Sequence, residues 1–204
     1  MKNIVLLIVL LTISLPIFLI GQQTVKESST GKSFPSEVTF NNSGKDYTVK
    51  VTGLTVRKKL FFKVYGIAHY MQDAPKAVTV EDAFRQILTD ESAKQITMDF
   101  SRDVDAAKIK DAYLDGFKQH TSPEELQKIQ PMINQFIGYF TKEMKENDRI
   151  ILRWLPGGTI VAVIQGEEKP VLTNELFART LWSIWFGKSS IVDRDELVDR
   201  MTEK

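Results

Sequence analysis

Two helical stripes in direct succession separate two blocks of alternating sequence, and that order restricts the fold more than any other feature of the chain. Ala106, Ile109, Tyr113 and Phe117 recur at helical spacing, as do Leu126, Ile129, Ile133, Phe136, Ile137 and Phe140. Before them, Val38 and Phe40, then Tyr47, Val49 and Val51, alternate with polar residues around Asn42-Ser43-Gly44, which is a hairpin pattern. After them, residues 149–155 and 159–165 flank Pro156-Gly157-Gly158, a second hairpin. A doubly wound parallel sheet needs a helix between successive strands, and this order does not supply one. The pattern predicts an α+β domain, an antiparallel sheet with helices on one face.

The other elements fit around that frame. Gly53 breaks the run after Val51, and Leu54 and Val56 lead into Arg57, Lys58 and Lys59. Leu60 to Met71 then reads as a long aromatic strand, ended by Asp73-Ala74-Pro75. Thr79 is placed to cap a helix over Val80 to Leu88, with Glu81 and Asp82 in its first turn. Ile96, Met98 and Phe100 alternate with Thr97 and Asp99, so a strand with one buried face is expected there. Asp103 is placed to cap the first long helix. Ser122-Pro123-Glu124-Glu125 opens the second as a capping box, and Pro131 should kink or split it. A short strand runs through Val171. Thr173 or Asn174 then caps a helix with Leu176, Phe177, Leu181, Ile184 and Trp185 inward, ending at Gly187, and Asp193 starts a short terminal helix.

Residues 1–21 stand apart. Lys2 precedes an apolar run from Ile4 to Ile20, and small Gly21 precedes Gln22 and Gln23, which predicts a signal peptide and an exported, periplasmic or extracellular domain. Retention of residues 4–20 as a membrane anchor is the alternative. Residues 22–35 read as a polar linker and 36–204 as the domain. With no cysteine the chain is neither lipidated nor disulfide-stapled. Losing Lys2 with the leader leaves equal numbers of cations and anions, which argues against a general nucleic-acid or membrane-surface binder. Charge-based recognition must be local.

The histidines are His69 and His120, in a strand and at a helix end, and no metal-ligand spacing includes either. No phosphate loop, nucleophile elbow or dinucleotide fingerprint occurs, so neither a metal nor a cofactor is expected. The stretch from Thr52 to Gln72 remains. Lys58 and Lys59 suit a solvated bend, whereas the planar fork of Arg57 can hold a carboxylate or enolate through two hydrogen bonds. A tyrosine hydroxyl at the mouth of an apolar pocket would complete an anchor for an acid or a developing oxyanion.

A glycine and an arginine before KVYGIAHYM, a strand reading ITMDFSRDV, and a helix ending in LWSIWFG resemble the chalcone isomerase superfamily over Glu37 to Met201, closest to its bacterial chalcone isomerase-like branch. The resemblance implies an open-faced β-sandwich, a large antiparallel sheet with a helical layer. The plant enzymes cyclise a chalcone to a flavanone, using an arginine, a strand threonine, a helix tyrosine and asparagine, and a Ser/Thr on the last helix. Arg57 matches the arginine, although the segment between it and the strand is shorter. The threonine falls on Tyr65, the helix tyrosine near Ala106 or Ala107, the asparagine near Tyr113, and the Ser/Thr on Ile184 with Ser183 beside it. Fatty-acid-binding members pair the arginine with a tyrosine in the K-V-Y strand, as Arg57 and Tyr65 do here. The resemblance therefore implies a non-catalytic binder of a fatty acid or similar apolar carboxylate, with Arg57, Tyr65, Tyr113 and Ser183 as candidate ligand residues. An isomerase, or intramolecular lyase, acting on a phenolic or enone substrate is the alternative, and a filled structural domain is a third.

Overall fold

The computed structural model describes residues 23–202, so the expected leader at 1–21 lies outside the described residues. Ten strands are found among them: β1 (Thr24–Lys26), β2 (Ser33–Pro35), β3 (Glu37–Asn42), β4 (Lys45–Lys59), β5 (Phe62–Met71), β6 (Lys94–Phe100), β7 (Arg149–Leu155), β8 (Thr159–Ile164), β9 (Glu167–Glu168) and β10 (Leu172–Thr173). The α-helices are α1 (Val80–Thr89), α2 (Ala106–Gln119), α3 (Pro123–Gly138) and α4 (Glu175–Phe186). One curled antiparallel sheet runs in the order β10-β8-β7-β6-β5-β4-β3, with β9 beside β8. Among the described residues no helix is long and apolar enough to cross a membrane.

The α+β expectation holds, and period-two alternation explains the sheet's two faces. Tyr65, Ile67 and Met71 of β5, Ile96, Met98 and Phe100 of β6, and Ile150 and Leu152 of β7 pack under the helices with Phe117, Phe136, Phe177, Trp182 and Trp185. The opposite face is covered as well. Within the stretch 22–35, expected to be a linker, Thr24–Pro35 form the β1–β2 hairpin, and its fully buried Phe34 packs with Phe40, Tyr47, Ala68 and Tyr70. Glu27 shapes the hairpin turn by accepting hydrogen bonds from the Ser29 and Thr30 amides, both at 2.7 Å. Burial pushes its carboxyl up, but those bonds outweigh burial and hold it below the usual carboxylate range. The hairpin crosses β5 at Gly66, where a Cβ would lie 2.8 Å from the Thr30 hydroxyl.

This cover changes the reading of β6, expected to be buried on one face and in fact buried at all seven positions. Two of its polar residues pair across strands and a third pairs along it: Arg149 donates two hydrogen bonds to Asp99 at 2.6 and 2.7 Å, Arg153 donates to Gln95 at 3.0 Å, and Gln95 donates to Thr97 at 3.0 Å. Gly53 does not end its strand either. β4 continues through a register shift between Val51 and Gly53, and a Cβ on Gly53 would sit 2.1 Å from the Glu196 carbonyl oxygen of the C-terminal 3-10 turn.

The helix starts at Thr79, Ser122 and Asn174 are capped as expected, each side chain accepting from a backbone N–H, and Ser122 and Glu125 complete the capping box. Asp103 does not cap α2. That position is Asp105, while Asp103 accepts from the Glu146 amide and Lys145 instead. The second long helix is not split at Pro131, because Pro131 and Gln127 lie on its exposed side and water can satisfy the carbonyl the proline leaves free.

Candidate ligand-binding site

β4 and β5 bring the arginine and the tyrosine together. Arg57 and Tyr65 are direct cross-strand partners, so their side chains leave the sheet side by side. The register shifts between Arg57 and Lys58, leaving Val64 as the extra residue of a bulge, and Val64 and Tyr65 both face the same cavity. Leu60 and Phe61, expected in the strand, form the turn that joins β4 to β5.

The cavity beneath the helices measures about 360 Å³. Its floor is buried and apolar: Met98 and Phe100 from β6, Ile150 from β7, Ile109 from α2, and Ile184 and Trp185 from α4. Its rim is exposed and mostly cationic, with Lys59, Arg102 and Lys108 beside Leu60 and Phe62. The rim carboxylate Asp103 is held by Lys145 at 3.1 Å and the Glu146 amide at 2.9 Å.

Three donors serve this space. One N–H of Arg57 donates to the Ile191 carbonyl, which steadies the guanidinium, and among the described residues Arg57 has no carboxylate partner. Tyr65 lies between that arginine and the helical layer. The indole N–H of Trp185 donates to its hydroxyl at 3.3 Å. An indole nitrogen can only donate, so the Tyr65 oxygen is the acceptor and its own proton stays available. Burial raises the Tyr65 pKa, against the opposing pull of the Trp185 bond and the Arg57 charge. Burial raises Tyr113 well above the ordinary phenol value, and Tyr65 adds to the effect. Both phenols are therefore neutral donors at physiological pH. The Tyr113 ring is clamped by Phe136, Phe140 and Trp185 at centroid distances of 4.9, 5.2 and 6.2 Å. Such a set suits an acceptor-rich, anionic head on an apolar body.

Of the four residues singled out in the sequence, Arg57, Tyr65 and Tyr113 line this cavity and Ser183 does not. Neighbouring helical residues point about 100° apart, so Ile184 turns into the cavity while the Ser183 hydroxyl turns away and donates to the Arg179 carbonyl at 2.8 Å. Lys58 leaves the site and Lys59 stays on its rim. Trp185 and Arg102 belong to the site although sequence reasoning passed over them; both lie in the quoted segments, LWSIWFG and ITMDFSRDV. His120 closes α2 with its Nδ1 2.9 Å from the Gly116 carbonyl. A larger depression of about 540 Å³ lies between the β1–β2 hairpin, β4 and residues 190–200, but its polar walls bond one another, as Thr55 does with Glu196.

The fold and cavity together define an α+β domain in which an open-faced, curled antiparallel sheet and a layer of helices enclose a donor-lined apolar space. The chalcone isomerase-like family model matches residues 26–201, and the chain belongs to that family. Its structure is similar to a crystal structure of a fatty-acid binding protein from Arabidopsis thaliana, with a TM-score of 0.68 and 17% identity over 88% of this chain and 98% of that one. At that identity the likeness shows the fold. None of the curated protein sequences matches the chain.

Proposed function

We propose that this chain is an exported, non-catalytic binder of a fatty acid or a similar apolar carboxylate, from the bacterial branch of its family. The observation that carries the reading is the donor set, with Arg57, Tyr65 and Tyr113 lining one apolar cavity and no carboxylate on the arginine among the described residues. The carboxylate would take the free N–H groups of Arg57 and the Tyr65 proton, while the chain lies against Met98, Ile150, Ile184 and Trp185. That the plant protein of the same fold is a fatty-acid binding protein supports this choice of ligand. The apolar run before Gly21 supports export, which the mass of the mature protein would check.

The test is native mass spectrometry with lipid extraction. Wild-type protein is expected to carry acyl carboxylate. Arg57→Ala should weaken its binding roughly 10- to 100-fold, the worth of charge-assisted hydrogen bonds of about 1.5–3 kcal/mol. Retention of the same lipid at unchanged affinity would refute the reading. Binding is favoured over isomerisation because among the described residues no Asn, Ser or Thr lines the cavity, and the sequence resemblance puts Ile184 where the cyclases carry a hydroxyl. The absorbance of chalcones should accordingly decay in its presence no faster than in buffer.

A further inference from the structure

The tip of the β4–β5 hairpin has no structural explanation within the molecule. Leu60, Phe61 and Phe62 are 84, 98 and 58% exposed, three consecutive large apolar side chains in water. Leu60 also has φ 55°, the left-handed region that glycine or asparagine usually fills in a two-residue hairpin. The other large apolar residues exposed among the described residues, Val78 and Val171, stand singly. Isolated exposures of that kind are ordinary, whereas a contiguous one marks an interaction surface.

The charges around the tip identify its partner. Lys58, Lys59, Lys63 and Arg102 surround it, and among the described residues none of them pairs with a carboxylate. The Arg102 guanidinium lies 4.6 Å over the Phe62 ring, an arrangement that keeps a cation beside an apolar group. Aromatic and aliphatic groups ringed by long cationic side chains match the boundary between acyl chains and anionic head groups. The tip is also the rim of the cavity, since Lys59, Leu60, Phe62 and Arg102 line its opening.

From this coincidence we infer that the β4–β5 turn docks the protein on an anionic phospholipid surface with the cavity mouth facing the bilayer. Leu60, Phe61 and Phe62 enter the acyl boundary, the cations meet the phosphates, and a lipid ligand passes between membrane and cavity without crossing water. The inference rests on the binder reading for its purpose, but it stands on residues outside the donor set.

The test places an indole at the tip of the full chain by Phe61→Trp. The three native tryptophans are buried, so the difference from wild type reports the new side chain. With vesicles of phosphatidylglycerol and phosphatidylcholine carrying brominated acyl chains, the added emission should shift to the blue and be quenched. With phosphatidylcholine alone it should do neither. Lys58→Gln should weaken the effect about fivefold, the worth of one cation near an anionic surface, and high salt should weaken it further. The readout is local to residue 61, so insertion of residues 4–20 would not mimic it. Water-like emission with anionic vesicles would overturn the inference, as would equal quenching by neutral ones. A blue shift that grows with protein concentration in the absence of vesicles would assign the tip to a second copy instead. Phe61 does not line the cavity, so Phe61→Ser should bind fatty acid normally in vesicle-free buffer, and Arg57→Ala should still dock. Each reading can thus fail without the other.

Discussion

Acid should loosen this domain through one buried side chain, His69. The ring is fully buried, and its two polar contacts, with the onward bond from one of them, fix its state. The Trp182 indole N–H donates to Nε2 at 3.3 Å, so Nε2 carries no proton. Nδ1–H then donates to the Thr52 hydroxyl at 2.6 Å, and that hydroxyl donates onward to the Leu197 carbonyl at 2.9 Å. A second proton on the ring would meet the indole proton in a dry site, with the centroid of the Phe186 ring 4.6 Å away. Burial first, and the Lys94 charge second, push the His69 pKa well below 6.5. The unfolded chain binds the proton near pH 6.5 and the folded chain does not, so stability is complete above that pH and falls as pH drops toward the folded value. The slope approaches about 1.4 kcal/mol per pH unit below pH 6.5, so moving from pH 6.5 to 5 costs about 1.7 kcal/mol for a folded ring that stays neutral throughout. That amounts to roughly 3–7 °C in Tm for a domain of this size. Urea unfolding of wild type and His69→Gln at a series of pH values isolates the effect, because other titrating groups are common to both chains. The stability difference between them should bend at pH 6.5 and decline below it. Two parallel curves between pH 7 and 5 would show that His69 is not the buried neutral group this network requires.

The opposite face and the edge of the core give two further tests. Phe34→Ala should cost about 3–5 kcal/mol in urea unfolding, the price of emptying a buried aromatic site, whereas a linker residue would cost almost nothing. Lys94 is buried with its ammonium 4.5 Å over the Trp154 ring and bonded to the Asp90 and Ser92 carbonyls, and burial lowers its pKa to about 8. Its folded pKa lies below the unfolded 10.5, so stability rises with pH between those values, by up to about 3 kcal/mol relative to Lys94→Met. A pH-independent difference between the two chains from pH 8 to 10.5 would contradict that burial.

Alternation and helical spacing made the sheet and the helices legible, because these depend on local period; the pairing of Arg57 with Tyr65 came from the family resemblance, since the tight turn at Leu60-Phe61 that sets it reads as strand. Two misreadings had a single physical source. β6 looked half-exposed because Thr97 and Asp99 are polar, and residues 22–35 looked like a linker because Phe34 is the one large aromatic among small and polar neighbours. Each depends on the other: the hairpin covers the face whose polar residues pair across strands, so neither polarity reports exposure. The contacts between KVYGIAHYM and LWSIWFG were equally hidden. Trp182 reaches His69 and Trp185 reaches Tyr65, which ties α4 to β5 by two indole donors. Their directions depend on how α4 is rotated about its axis, and that is set by tertiary packing rather than by either segment alone.

That rotation also decides what the cavity can do. Ile184 faces Gly116 of α2, where a Cβ would lie 2.9 Å from two of its side-chain carbons, so the missing side chain is what lets the two helices close on a branched aliphatic group. The same isoleucine lines the cavity, at the position to which the sequence resemblance assigns the cyclases' hydroxyl. A hydroxyl one residue away cannot substitute, because Ser183 is rotated out and engaged with the Arg179 carbonyl. The donors that remain, Arg57, Tyr65 and Tyr113, can hold an anion in place, but the wall opposite them is hydrocarbon. On the proposed binder reading the donors meet the carboxylate and the hydrocarbon wall takes the chain, so enlarging or shrinking Ile184 should change the preferred chain length while Arg57 still anchors the head.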